Sequence, residues 1–271
     1  MTLKDMLIAN ALLGSHGGGG GGISVDDIAQ NLAPIGAITL GSGVTHIADH
    51  AFQGKAITSV KGDNVEQIDP YSFANTLITG ITDEDFPKLG VDTEYTIFLR
   101  LPTTCTAIKL SGEKIRLNSG SGAMRDCKGL VTAEFPNAAK SVASPNNKGL
   151  ASNSFYGCTA LTLADCGYVT SISSYAFQNC ESLDAVILRN TSLVTLGNKN
   201  AFVGTKYDNG KAGGTIYIPK VLYDHLGDGT ADDYKAASNW STLDGYGTIT
   251  WAKLEGSPYE DPDWDDSGFL T

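Results

Sequence analysis

His46 and His50 stand four positions apart with Asp49 between them, a spacing that on a helix would bring two imidazoles to one side as metal ligands. The local pattern argues against a helix. His46 belongs to a β-branched stretch that ends at Ile47, and His50 lies at the turn into Ala51-Phe52, so the two rings are expected to part and no metal is expected. Asp261, Asp263 and Asp265 alternate like the opening of a calcium loop, but Asp266 occupies the sixth position, where such a loop needs glycine. A solvated acidic tail is the expectation there. The glycine run Gly17 to Gly22 is not followed by the Gly-Lys-Ser/Thr of a phosphate loop; it reads as a flexible tether.

No Gly-x-Ser-x-Gly elbow and no His-Glu-x-x-His helix occurs, and adjacent carboxylates such as Asp232 and Asp233 read as solvated charge. The chain is therefore expected to be no enzyme and to carry no cofactor. Its five cysteines, Cys105, Cys127, Cys158, Cys166 and Cys180, are irregularly spaced and form no Cys-x-x-Cys pair. They are expected to be reduced thiols packed as small hydrophobes.

What must position these side chains is a repeat. Aligned on phenylalanine, Val44-Thr-His-Ile47 leads into Ala51-Phe52-Gln-Gly54, and Val65-Glu-Gln-Ile68 leads into Ser72-Phe73-Ala-Asn75, an offset of 21 between Phe52 and Phe73. The same order returns at Phe155, at Phe177 after 22 residues and at Phe202 after 25. Met124, in Ala123-Met124-Arg-Asp-Cys127, fits the phenylalanine slot 51 residues beyond Phe73; a flexible thioether can fill an aromatic gap. That interval leaves room for one degenerate copy, expected around Tyr95 to Lys109. Each unit predicts a short alternating strand and a brief Ala-Phe helical turn folded back over it. A single unit cannot bury its own apolar face, so copies must stack.

The run Val169-Thr-Ser-Ile172-Ser-Ser-Tyr175-Ala176-Phe177-Gln-Asn179-Cys180-Glu-Ser-Leu183 resembles the BspA-like leucine-rich repeat, and the likeness extends over Val44 to Phe202. The resemblance implies an α/β repeat: a leucine-rich-repeat solenoid of short strands and short helical turns, non-enzymatic and used for attachment. Beyond the last copy, Gly214-Thr-Ile216-Tyr-Ile218-Pro219 reads as a strand, Val221 to Leu226 and Ala231 to Trp240 as helical, and Gly247 to Leu254 as a final strand. With Tyr234, Lys235, Ala236, Ala237 and Trp240, this stretch resembles the α+β segment that closes BspA-like arrays. The expected organisation is 1–22 anchor peptide and tether, 23–43 lead-in, 44–213 array, 214–256 cap and 257–271 acidic tail.

A net charge of −11 gives no electrostatic reason to approach nucleic acid or anionic lipid, and no apolar run reaches the length of a membrane span. Met1 to Leu13 lacks the features of an export signal. Its apolar residues Leu3, Met6, Leu7, Leu12 and Leu13 look like a docking peptide on the glycine tether, a layout resembling phage tail or head-fibre proteins. The expectation is a virion protein made in the host cytoplasm. It would be held to other virion proteins through that peptide, with homo-oligomers within the assembly, and would display its repeats to a host-surface protein or glycan. The alternative is a bacterial cell-surface adhesin or protein-binding module of the same repeat type. Tyr71, Tyr156 and Tyr175 are the candidate contact residues, since repeat arrays bind through extended faces enriched in aromatics.

Overall fold

The computed structural model describes residues 36–260, apart from 98, 121, 209–210, 212 and 246–248. The chain folds as a repeat protein of many short parallel strands and few helices. Its strands are short because each apolar triplet offers one central side chain to the interior, as the exposed-buried-exposed pattern of β1 (Ala37–Thr39) illustrates. The equivalent triplets are β3 (Ser59–Lys61), β5 (Gly80–Thr82), β7 (Ala107–Lys109), β9 (Thr132–Glu134), β10 (Leu163–Asp165) and β12 (Ala185–Ile187). Two longer strands, β14 (Gly214–Ile218) and β15 (Ile249–Lys253), complete this front row. β5 to β15 form one seven-stranded parallel sheet in chain order, while β1 pairs with β3 alone. The first strand thus falls inside 23–43, the stretch expected to be a lead-in.

A second row of two-residue strands runs behind the first: β2 (His46–Ile47) pairs with β4 (Gln67–Ile68), β6 (Tyr95–Thr96) with β8 (Ile115–Arg116), and β11 (Ser171–Ile172) with β13 (Thr195–Leu196), all parallel. The Ala-Phe turns make a third ladder. Phe52 N donates to Ser72 O at 2.9 Å, Phe155 N to Ala176 O at 2.7 Å and Phe177 N to Ala201 O at 2.8 Å. These turns are where expectation and structure part. Most are not helical, because alternate amides are used by the neighbouring rung while those between them bond within their own turn. His50, Tyr71, Asn153 and Tyr175 precede the phenylalanine by two residues with φ near +60°, and Asn75 and Asn179 follow it by two with the same sign. Two left-handed residues bracketing each turn break any helix. The exception is a 3-10 turn at Lys199–Phe202, whose first amides are met by the Asn198 side chain.

Inside, the phenylalanines stack. Phe155 and Phe177 lie 5.3 Å apart and almost parallel, Phe177 and Phe202 5.2 Å apart, and Phe52 and Phe73 5.9 Å apart. The degenerate copy and the methionine substitution both stand as expected. Met124 is fully buried with its amide on Ser154 O at 2.6 Å, and Leu99 fills the slot one rung earlier with its amide on Ala123 O at 2.8 Å.

The cysteines are free and buried. Three of them form a ladder of their own: Cys127 Sγ donates to Leu99 O (3.6 Å), Cys158 Sγ to Met124 O (3.0 Å) and Cys180 Sγ to Phe155 O (3.0 Å). Burial pushes the Cys105 thiol up to about 12 and Cys127 up to about 11, so neither supplies thiolate near neutrality.

The C-terminal part corrects a second expectation. α1 (Lys220–Tyr223) overlaps the first stretch read as helical, but residues 231–239 form turns, and α2 (Trp240–Asp244) starts only where that reading ended. Asp233 explains the difference: its carboxylate accepts from the amides of Gly227, Gly229 and Lys235 at 2.8–3.0 Å, and a side chain that captures backbone donors in this way competes with the helix. Asn239, at φ 64°, then sets the start of α2. Trp240 Nε1 donates to Val194 O (2.7 Å) and the Val194 amide donates to the Tyr234 hydroxyl (3.0 Å), while Trp240 meets Phe202 at 6.1 Å. Among the described residues no helix is long and apolar enough to cross a membrane.

Because Phe177 is packed between two other rings, Phe177→Ala is expected to cost about 3–5 kcal/mol, read as a lower midpoint in urea unfolding. A loss below 1 kcal/mol would show that the stack does not carry the core.

Candidate functional site

The front row is continuous except at one junction; the second row breaks there and again between β8 and β11. β3 does not join β5 in a sheet, and β4 does not join β6, because the longer connection through Asp83 to Gly90 tucks Phe86 and Leu89 into the core, Phe86 against Phe73 at 6.3 Å. Tyr95 partly closes the break with a hydroxyl donated to Ile68 O (2.9 Å). A cleft of about 450 Å³ remains over it, with Thr45, His46, Gln67, Glu94, Thr96 and Arg116 in its lining.

Its charges are mostly matched. His46 Nε2 lies 2.8 Å from Asp69 Oδ2, and Gln67 Nε2 donates to Asp69 Oδ1 at 2.7 Å. Arg116 Nη1 donates to Glu94 Oε2 at 3.0 Å, and Glu94 Oε1 also accepts from Ala143 N, two rungs further along. Among the described residues Arg116 Nε has no acceptor. The cleft offers donors, acceptors and threonine methyls, the equipment of a recognition surface. His50 points elsewhere, bonded to Asp49 at 2.8 Å and stacked on Tyr71 at 5.0 Å. The two histidines therefore share a rung but make separate contacts, His46 with Asp69 and His50 with Asp49 and Tyr71.

The candidate tyrosines are not gathered into one site. Tyr71 and Tyr175 are exposed at 38% and 42% and sit at equivalent left-handed positions, φ 59° and 63°. A bulky side chain rarely adopts that conformation, and it turns each ring outward along the same edge of the array. Tyr156 is half-buried on the following turn position, with the Arg125 guanidinium 4.9 Å from its ring centre. The proposed anchor residues Leu3, Met6, Leu7, Leu12 and Leu13 lie outside the described residues, as does the acidic run from Asp261 to Asp266.

A second polar cluster was not legible beforehand. Asp165, at the end of β10, and Arg189, just beyond β12, are both buried, with Arg189 Nη2 2.7 Å and Nε 3.0 Å from Asp165 Oδ2. Gly167 N adds a bond to Asp165 Oδ1 (3.0 Å), and Arg189 Nη2 also donates to Tyr259 O (2.9 Å). Burial holds the Asp165 carboxyl above its usual range, the guanidinium pulling the other way. Ser257 to Glu260 lie against this end of the front row, with Tyr259 edge-on to Tyr217 at 4.9 Å. The advance signal was slight: a carboxylate at the last residue of β10 and an arginine two residues past the end of β12, on neighbouring rungs.

A model of the BspA type leucine-rich repeat region, in six copies, matches residues 29–144 and 120–216, well over half of the chain. Among crystal structures, a leucine-rich cell surface protein from Faecalibacterium prausnitzii A2-165 is 17% identical, with 63% of this chain and 57% of that one covered, at a TM-score of 0.24. A leucine-rich repeat protein from Bacteroides ovatus ATCC 8483 is 14% identical, with 81% and 84% covered, at a TM-score of 0.25. The chain thus spans little more than half the length of the first of these. No curated protein matches it.

Removing one partner of a buried ion pair strands the other charge, whereas replacing both with apolar groups can be neutral. Asp165→Leu is therefore expected to cost about 3–5 kcal/mol and the double change Asp165→Leu, Arg189→Met much less, measured by urea unfolding. Equal losses in the two variants would show that the pair is not electrostatically coupled.

Proposed function

Since the chain belongs to the BspA-type leucine-rich repeat family, we propose that it is a non-enzymatic attachment module: a solenoid, closed at its C-terminal end by a cap over 214–256, that binds a protein on a cell surface. The family match carries this reading, and the chemistry of the outward positions supports it. Strand residues turned away from the core are Thr39, Lys61, Thr82, Lys109 and Glu134, a polar row without a long apolar strip. The cleft beside Gln67 and Arg116 and the outward rings of Tyr71 and Tyr175 add specific contact points to it. Extended surfaces of this kind recognise partners by many moderate contacts around a few aromatic and arginine anchors.

Fluorescently labelled full-length protein is expected to decorate intact bacterial or epithelial cells and to lose most of that signal when the cells are first treated with protease. Decoration unaffected by protease would overturn the protein-partner reading, and no decoration of any cell type would overturn the attachment reading. Tyr71→Ala with Tyr175→Ala is expected to weaken binding several-fold without changing thermal stability.

A location in a phage particle is a narrower reading that rests on the sequence of residues 1–22, an apolar peptide followed by Gly17 to Gly22. If that peptide is the anchor, particles assembled with a chain lacking residues 1–22 are expected to lose the protein. Undiminished incorporation would remove the reading.

A further inference from the structure

Beside the Asp165–Arg189 pair, a cavity of about 370 Å³ opens between the front row and the segment Pro258 to Glu260, within the size range of small-ligand sites. It is built unlike the rest of the surface. Arg189, 5% exposed, forms part of its wall, and among the described residues its Nη1 has no acceptor. Its guanidinium is held by Asp165 and by Tyr259 O, so it fixes the wall of the cavity without adding a free charge to it. The charges around the cavity are otherwise spoken for: Asp165 by Arg189, Glu134 by Lys109 at 3.5 Å, and Glu260 Oε2 by the Gly256 amide at 2.8 Å.

That pairing decides the class of ligand. A strongly charged molecule would find no uncompensated countercharge and would have to break one of these pairs. A neutral molecule rich in hydroxyl groups fits the remaining chemistry. The carboxylate of Glu134 and the side-chain oxygen of Asn137 accept, and the Asn137 amide and the Ser111 hydroxyl donate. Tyr259, part of the lining, offers an aromatic surface to the C–H face of a sugar ring. We propose that this cavity is a binding site for one residue of a neutral saccharide. The site goes beyond the protein-attachment reading and does not depend on it.

The test uses full-length protein on an array of neutral oligosaccharides ending in glucose, galactose, mannose or N-acetylglucosamine, with sialylated and sulfated glycans alongside. At least one neutral glycan is expected to bind. Asn137→Trp, which fills the cavity from a half-buried turn position, is expected to lower that affinity at least tenfold, and Tyr175→Ala to leave it unchanged. Should Asn137→Trp lower the melting temperature, Glu134→Gln, which keeps the shape and removes an ionic acceptor, is expected to weaken the same glycan at least threefold. The proposal fails if no neutral glycan binds, if only sialylated or sulfated glycans bind, or if neither cavity variant alters the affinity. Decoration of cells persisting in Asn137→Trp alongside lost array binding would leave attachment standing and assign the sugar to this cavity. Array binding without any cell decoration would do the reverse.

Discussion

Alternate peptide groups in each turn of this chain find their partners one rung away, and the rest of the fold depends on that constraint. A helix satisfies its amides locally; a triplet strand cannot, and a left-handed, bracketed turn does so only in part. Val131 O meets Thr162 N at 2.8 Å, Thr170 O meets Thr195 N at 3.0 Å and Ala74 O meets Gly54 N at 2.9 Å, so each side of a rung is completed only by the next. Buried backbone groups left unmet are costly, which makes a lone copy unstable and the stack cooperative. The phenylalanine column then has to lie near the axis, because the three ladders hold consecutive slots at ring-stacking distance.

The same constraint explains where the surface becomes particular. Wherever two rungs fail to match, their polar groups must find other partners, and side chains supply them: Tyr95 reaches Ile68 O, Glu94 reaches Ala143 N, and Asp83 accepts from Ser111 N at 2.9 Å. The cleft beside Arg116 is the result of one such mismatch. At the other end, the approach of Ser257 to Glu260 removes water from two charged residues and leaves them to satisfy each other. Irregularity in the repeat and chemistry on the surface thus have one origin.

The array was legible in the sequence because one slot dominates its packing. Phe52, Phe73, Phe155, Phe177 and Phe202 mark it outright, and Met124 marks it through the Ala and Cys around it. Leu99 was harder, since a leucine among Ile97 and Leu101 carries no positional signature; only the length of the interval pointed to a copy there. The turns were misread as helical because Ala-Phe is compatible with a helix, while the left-handed residues that prevent one are as unlike as His50, Tyr71 and Asn153. Ala231 to Trp240 misled in the same manner, its helix-forming alanines outweighing one aspartate that turned out to organise the loop. Asp165 and Arg189 could not be paired in advance, for their burial depends on a segment 70 positions from Arg189. His46 and Asp69 met for the ordinary reason that neighbouring rungs place them side by side, 2.8 Å apart.

The thiols that donate along the ladder from Leu99 to Phe155 carry one more implication. Many proteins that work outside the cell rely on an oxidising compartment to cross-link them, and fail to mature without it. Here each of three sulfurs is committed as a hydrogen-bond donor to the carbonyl of the preceding rung, with its proton held in place by burial. Among the described residues no disulfide holds the rungs together, so a reductant has no staple to open there. The packing of the array is thus set by stacking and by hydrogen bonds from its thiols, not by cross-links between them.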